Sequence, residues 1–378
     1  MSVVRRETRR RWLMVAGFVA ALCAAPVVIA ALPVARSSLT ADALRDRTLT
    51  STAAPYQGLV EARGSLGLPD LPGLSDVTGL LGGTTRMRVW YDSARRWRVD
   101  VITPTGERDV QRNPRGTTIW DYERNLFTQV RGEPPIRLPR GSDLTPPDLA
   151  RRLLGIAAPR DRLTALPPRR VAGVAAAGLR VTPVDPATTV GHVDVWADPG
   201  TGLPVAVEMT GKGGGRAVLS TRFLDLRQRR PAASVLAVSP PAGTPSVSLG
   251  APDLISRLSR FLLSRLPDRL AGYPALPVAG DSGTVRAYGT GYAAFAALPL
   301  PGRFGRRVLE AARSAGAQAV QVSTAAGMPP ADAFVIRTPL LTALVAAESE
   351  FGRAFLLAGP VQPKLLMTAA QQLIMELG

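Results

Sequence analysis

A histidine two residues from an aspartate is the shortest route from a sequence to hydrolytic chemistry. This chain offers one such pair, His192 and Asp194. His192 is the only histidine, so a Ser-His-Asp triad would have to use it. No serine lies in the Gly-x-Ser-x-Gly context that exposes a nucleophile at a strand-to-helix turn. His192 is therefore expected to be a partly exposed strand residue. The single cysteine, Cys23, excludes a disulfide framework and a structural zinc site. Gly289-Thr290-Gly291 begins a phosphate-loop-like pattern, but inside a strand rather than before a helix. Gly213–Gly215 reads as a hairpin turn. Asp70, Asp76, Asp92 and Asp109 stand singly in or near turns, without paired-carboxylate or calcium-loop spacing. The expectation is a protein with no catalytic residue, no metal and no cofactor.

What must be positioned, then, is a surface. At roughly 150 residues per domain, 378 residues suggest two folded units. Residues 1–35 stand apart from both. Arg5, Arg6, Arg9, Arg10 and Arg11 precede an uncharged stretch from Trp12 to Ala35, the pattern of an export signal. Cleavage after Ala35 and retention as a membrane anchor both fit, since the run exceeds 18 residues. Leu22, directly before Cys23, breaks a lipoprotein signal, so Cys23 reads as apolar filler. Either way the remaining chain is expected outside the cytoplasmic membrane.

The net charge is +17, nearly all of it arginine, and removing the five Arg and one Glu of 1–35 leaves +13. The arginines are dispersed over turns and outward strand positions. This reads as a solvated basic face suited to anionic lipid heads rather than to nucleic acid.

From residue 56 the chain alternates apolar and charged side chains, bounded by Asp-Ser, Pro-Thr-Gly and Asn-Pro-Arg-Gly turns. Tyr56 and Val60, Met87, Val89 and Tyr91, then Trp97, Val99 and Val101 fall on one face, and Trp120 and Tyr122 are placed with them. Strands at 178–184, 191–197, 203–211 and 217–227 add Val195, Val205, Val207 and Phe223. Short helices near 40–52 and 147–157 cover this face. The fold expected for 38–241 is mainly β: a strongly curved antiparallel half-barrel of nine or ten strands, capped by helices. Residues 242–283 read as a linker with a basic amphipathic helix at 253–266, and 284–378 as a small C-terminal α+β domain. A wide apolar wall under few helices leaves either a dry core or a hollow suited to acyl chains. On that reading the fourteen residues just named line the hollow.

Particular stretches carry a resemblance. Tyr56-Gln-Gly-Leu-Val-Glu, Leu68-Pro-Asp-Leu-Pro-Gly, Met87-Arg-Val-Trp-Tyr-Asp, Trp97-Arg-Val-Asp, Ile119-Trp-Asp-Tyr and Asp198-Pro-Gly-Thr-Gly-Leu-Pro-Val are similar to actinobacterial proteins of the LolA-like superfamily. That superfamily joins the lipoprotein carrier LolA and the MucB/RseB-type sigma-factor regulators. Phe351-Gly-Arg and Gly359-Pro-Val-Gln-Pro-Lys-Leu-Leu resemble the end of the RseB-type second domain. The resemblance implies a non-enzymatic half-barrel that binds acyl chains of lipids or lipoproteins, as carrier or sensor. For RseB-like members it implies binding to a membrane anti-sigma factor. The Gly67–Gly83 insertion is long and apolar for a hairpin and reads as a lid or a membrane-touching loop.

Overall fold

The computed structural model describes residues 37–68, 75–103, 106–132, 139–238, 243–250, 265–277, 285–323, 330–347 and 354–377, with a few single positions between 12 and 34. The expected export segment and most of the amphipathic helix at 253–266 lie outside this set. Among the described residues no helix is long and apolar enough to cross a membrane.

Twelve strands form one sheet. In chain order they are β1 (Tyr56–Gly64), β2 (Thr84–Ser93), β3 (Arg96–Ile102), β4 (Glu107–Asn113), β5 (Gly116–Asp121), β6 (Leu126–Arg131), β7 (Arg162–Val171), β8 (Val174–Thr182), β9 (Val190–Ala197), β10 (Pro204–Gly211), β11 (Leu219–Arg227) and β12 (Ser246–Gly250). The spatial order is β12-β6-β5-β4-β3-β2-β1-β11-β10-β9-β8-β7. Two antiparallel meanders thus meet on β1, one running outward from β2 and the other returning through β11. The β1–β11 seam carries a bulge between Leu59 and Val60. Gly58 is required there, because a Cβ would lie 2.1 Å from the Asp225 carbonyl oxygen.

Three of these strands depart from expectation. β4 holds a single apolar residue, Val110, and pairs through Arg and Asp side chains rather than an alternating pattern. β7 carries Pro167 and Pro168 at a register shift and is an edge strand, the one place a sheet tolerates them. Ser246–Gly250, read as linker, is instead a strand running parallel to β6.

Helix α1 (Ala41–Thr50) starts at Thr40, whose hydroxyl accepts from the Ala43 amide. Within the Gly67–Gly83 insertion a short helix, α2 (Ser75–Gly82), packs beside β1. α3 (Pro146–Ile156) opens on two prolines, which fit a first turn that has no partners for its amides. Its Leu153, Leu154 and Ala150 face the sheet, while Arg152 reaches Asp143 at 2.8 Å.

The second unit is a six-stranded antiparallel sheet, β15 (Arg286–Tyr288), β16 (Phe295–Leu300), β17 (Gln318–Val322), β18 (Ala331–Arg337), β19 (Thr342–Ala347) and β20 (Ala354–Gly359), ordered β15-β16-β20-β19-β18-β17. Before it comes a two-residue ladder of β13 (Arg269–Leu270) with β14 (Tyr273–Pro274). Helices α4 (Gly302–Ser314) and α5 (Pro363–Leu377) pack on the six strands. Gly289-Thr290-Gly291, read as lying inside one strand, instead falls between β15 and β16, where a 3-10 turn, Gly291–Ala293, separates them.

The two units share a polar seam. The Thr188 hydroxyl lies 2.6 Å from the Tyr292 carbonyl and 2.9 Å from that of Pro360. Thr189 donates to Leu340 O at 2.7 Å, and the Tyr292 hydroxyl donates to Leu153 O at the end of α3. Thr188 is fully buried, so Thr188→Val keeps the shape but strands carbonyls away from water. The expected cost is about 1–3 kcal/mol, measured as a lower urea midpoint with unchanged slope.

Candidate functional site

Strand register decides which side chains form the wall. Tyr56, Tyr91 and Trp97 stand opposite one another across β1, β2 and β3, as do Val60, Met87 and Val101. Val89 faces Val99, Val60 faces Phe223, and Val207 and Val195 continue the same face through Thr221. Val205, two residues before Val207, shares it. Twelve of the fourteen expected wall residues are therefore on one face.

Trp120 and Tyr122 are not, and their placement is corrected. Trp120 pairs with Asp109 and Phe127, while Ile119 pairs with Val110, which pairs with Val99. Ile119 takes the wall position and Trp120 points to the outer face. There its ring stacks on Tyr122 with centroids 4.0 Å apart. A one-residue change of parity moves a whole strand's side chains to the other face.

Of the two outcomes expected for the wall, a dry core or a hollow, this conformation has the dry core. Tyr56, Val60, Met87, Val89, Tyr91, Val99, Val195, Val205, Val207 and Phe223 are all at most 4% exposed and belong to one cluster with Leu44, Ala150, Leu153 and Leu154 of α1 and α3. The 3-10 turn Gly141–Leu144 presses on the wall so closely that a Cβ on Gly141 would meet Val101 Cγ2 at 2.4 Å. Tyr56 stacks on Tyr91 at 4.9 Å and meets Phe223 edge-on at 5.7 Å. Burial raises the Tyr56 hydroxyl well above its ordinary pKa, with Asp148 adding to the effect. The wall exists, and in this conformation helices roof it. Trp97, Val101 and Ile119, toward its β3–β5 margin, are half-buried.

Side-chain ties hold the roof, among them the Tyr292 hydroxyl on Leu153 O and Arg47 of α1 on Pro199 O. Arg45 of α1 donates to Leu154 O at 3.3 Å. Arg151 of α3 reaches the Ser51 hydroxyl at 3.4 Å and stands 6.0 Å over the Tyr91 ring. The Tyr91 hydroxyl donates to Thr52 O at 2.8 Å.

The outer face holds a charged cluster that sequence spacing did not reveal. Arg98 donates to Asp100 at 2.6 Å and to Asp109 at 2.9 Å, and Tyr122 donates to Asp109 at 3.3 Å. Glu107 joins them, so that one oxygen from each of three carboxylates lies within 4.8 Å of the others. Asp100 and Asp109 are each 1% exposed. Burial, with Asp109 beside it, lifts Asp100 to about 7 against the pull of Arg98. Burial and Asp109 likewise push the Tyr122 hydroxyl up to about 12. Segment 229–238 closes over this cluster: Arg98 reaches Val235 O, and Gln111 bonds Leu236 O and accepts from the Val238 amide at 3.2 Å. Three carboxylates at this spacing have the donor set of a cation site, but the Arg98 guanidinium already occupies it. The burial of the pair leaves no room for a substrate to reach it.

His192 lies on the outer face of β9, 3.7 Å from Asp194, which Arg180 holds with two 2.6 Å bonds. Burial lowers the imidazole pKa, and at 25% side-chain exposure His192 is a partly exposed strand residue, as expected. A groove of about 330 Å³ lies on the outer face as well, lined by Gln57, Gly58, Leu59, Arg88, Trp90, Asp225 and Arg227.

No family model and no curated protein matches the sequence. Among solved structures, the chain is similar to MucB of Pseudomonas aeruginosa in its complex with MucA, at 15% identity and a TM-score of 0.48 over 89% of this chain and 97% of that one. It is similar to a LolA superfamily protein of Nitrosomonas europaea at 13% identity and a TM-score of 0.25, covering 53% of this chain and 99% of that one. A lipoprotein-sorting domain of Vibrio parahaemolyticus shows 12% identity and a TM-score of 0.24 over 52% and 95%.

Proposed function

We propose that this chain is a non-enzymatic binding protein of the cell envelope, exported by its N-terminal segment, whose half-barrel takes acyl chains of a lipid or lipoprotein once its helical roof lifts. The observation that carries the reading is how the wall is covered. The apolar face of β1, β2, β3, β9, β10 and β11 lies under two short helices joined to their surroundings by a handful of side-chain hydrogen bonds, not under a second sheet. Short helices lying on a sheet open at lower free energy than core strands, and the wall they would uncover is mainly apolar, which suits a hydrocarbon chain.

The test begins with protein recovered from the envelope, examined by native mass spectrometry and lipid extraction. It continues with a fluorescent fatty acid offered to the wild type and to Leu44→Ala. Leu44, 2% exposed, anchors α1 to the wall. The truncation loosens the roof and is expected to speed probe uptake several-fold. Absence of co-purifying acyl ligand together with no uptake in either protein would overturn the reading.

A second reading rests on the C-terminal unit. Its seam with the half-barrel is made of buried threonine and tyrosine hydrogen bonds, so the two halves present one continuous surface to a partner. With the RseB-like resemblance of residues 351–366, this favours a regulator that binds a membrane anti-sigma factor. Pull-down from a membrane fraction decides it: recovery of no anti-sigma protein counts against it.

A further inference from the structure

The outer faces of β2, β1 and β11 form a regular lattice. Register places Arg86, Glu61 and Arg222 in one row, Arg88, Leu59 and Asp225 in the next, and Trp90, Gln57 and Arg227 in the third. Arg63, two residues from Glu61, stands in the row beyond, opposite Thr84 and Ser220. Glu61 is 4% exposed and serves three guanidiniums at once, Arg63 at 2.8 Å, Arg86 at 3.3 Å and Arg222 at 3.8 Å. Those three side chains remain 56–62% exposed. Burial opposes ionisation of Glu61, but Arg63 and Arg86 outweigh it and hold the carboxyl below its ordinary range. It therefore stays charged and fixes the three arginines outward. Arg88 and Arg227 make no ion pair among the described residues and flank the groove floored by Leu59. Five arginines face solvent against Glu61 and Asp225.

The margins reduce this excess without cancelling it. On β3, Asp100 beside Arg88 shares the single cation Arg98 with Asp109, next to Glu107, while Glu208, beside Ser220 on β10, is held at 2.8 Å by Arg169. Trp90 lines the groove at its edge, and Leu224, next to Asp225, is 37% exposed.

We propose that this outer face docks the protein on an anionic phospholipid surface, the arginines contacting headgroup phosphates. Three adjacent strands span about 10 Å, a breadth that meets several headgroups at once. Guanidinium groups pair phosphate oxygens in bidentate fashion, and each basic side chain at a charged bilayer adds to the attraction. A tryptophan at the edge suits the headgroup layer, where aromatic rings with one polar end collect. The docking is independent of the acyl reading, which concerns the opposite face.

The test is co-sedimentation of the full chain with phosphatidylcholine vesicles and with vesicles containing phosphatidylglycerol, at low and at raised salt. One variant combines Arg86→Gln, Arg88→Gln, Arg222→Gln and Arg227→Gln, leaving Arg63 to pair Glu61. A control carries Arg95→Gln, Arg115→Gln, Arg124→Gln and Arg313→Gln, an equal loss of charge elsewhere. The N-terminal segment contributes equally to all three proteins. The wild type is expected to partition at least about fivefold more strongly onto the anionic vesicles, less so as salt screens the charges. The lattice variant should lose most of that preference and the control should keep it within about twofold. Quenching by brominated phosphatidylglycerol should fall in Trp90→Phe, a reading that does not need the fourfold variant to fold. Equal losses in lattice and control variants, or no anionic preference in the wild type, would overturn the proposal. So would a lattice variant that binds vesicles normally but no longer binds polyglutamate, since that would make the face a peptide site.

Discussion

Arg98→Ala should destabilise the protein by about 3–5 kcal/mol at pH 8, the usual cost of removing one partner from a buried ion pair, and by clearly less at pH 5. Arg98 is 18% exposed and is the cation shared by Asp100 and Asp109, both nearly inaccessible. Without it, three carboxylates within 4.8 Å face one another in a poorly solvated pocket. Their only relief is protonation, which is why pH matters.

In the folded wild type, burial and the neighbouring Asp109 place Asp100 near 7, above the ordinary carboxylate value of 3.8. A carboxyl that holds its proton more tightly when folded favours folding in full below about pH 4. That contribution disappears as pH rises from about 4 through about 7. Removing Arg98 strengthens the repulsion and steepens the loss across the same window. Denaturant unfolding at pH 5 and pH 8 measures it. Asp100→Asn, which deletes one charge, should stabilise the protein at pH 8 and change little at pH 5. A loss for Arg98→Ala that is equal at both pH values, or under 1 kcal/mol, would remove this cluster from any account of stability.

How much of this could be read from residues alone differs strand by strand. β1, β2 and β3 alternate cleanly because one face is buried apolar and the other is solvated arginine, so Tyr56, Met87 and Trp97 declared their side correctly. β5 did not. Its outer face meets a buried charged cluster rather than water, so the larger aromatic, Trp120, is the outer residue and the β-branched Ile119 the inner one. Size misled where burial occurs on both faces. β4 was hidden for a related reason: Asp100 and Asp109 are directly opposed in register, and a buried salt bridge leaves no hydrophobic period. β12 is short, polar and stabilised by long-range parallel pairing that no local pattern encodes. The roof's fit was out of reach for another reason. Whether Leu44 and Leu154 fill a curved wall depends on curvature, and curvature follows from twist and from the bulge at Leu59, not from composition.

Phe223→Ala is expected to cost about 3–5 kcal/mol and to change acyl-probe binding, whereas Trp120→Ala should leave that binding unaltered. Phe223 is 2% exposed, stands opposite Val60 at the bulged seam, and meets the Tyr56 ring edge-on. Tyr56 in turn is fully buried and stacked on Tyr91, whose hydroxyl ties the wall to Thr52 after α1. Removing the phenyl ring opens a hole beneath the roof, bounded by rigid strands that cannot collapse into it, so the penalty falls in the upper range for a core truncation. The same hole lies on the apolar face where the acyl chain is proposed to sit. A bound fatty-acid probe should therefore recover part of the lost stability, rising with probe concentration as linkage requires. Trp120 removes surface on the far side of the sheet, where its partner is Tyr122 and no acyl group is proposed. Thermal unfolding of both variants, with and without probe, separates the faces. A probe that rescues Trp120→Ala as well as Phe223→Ala would place its site away from the wall, and with it the role assigned to the half-barrel.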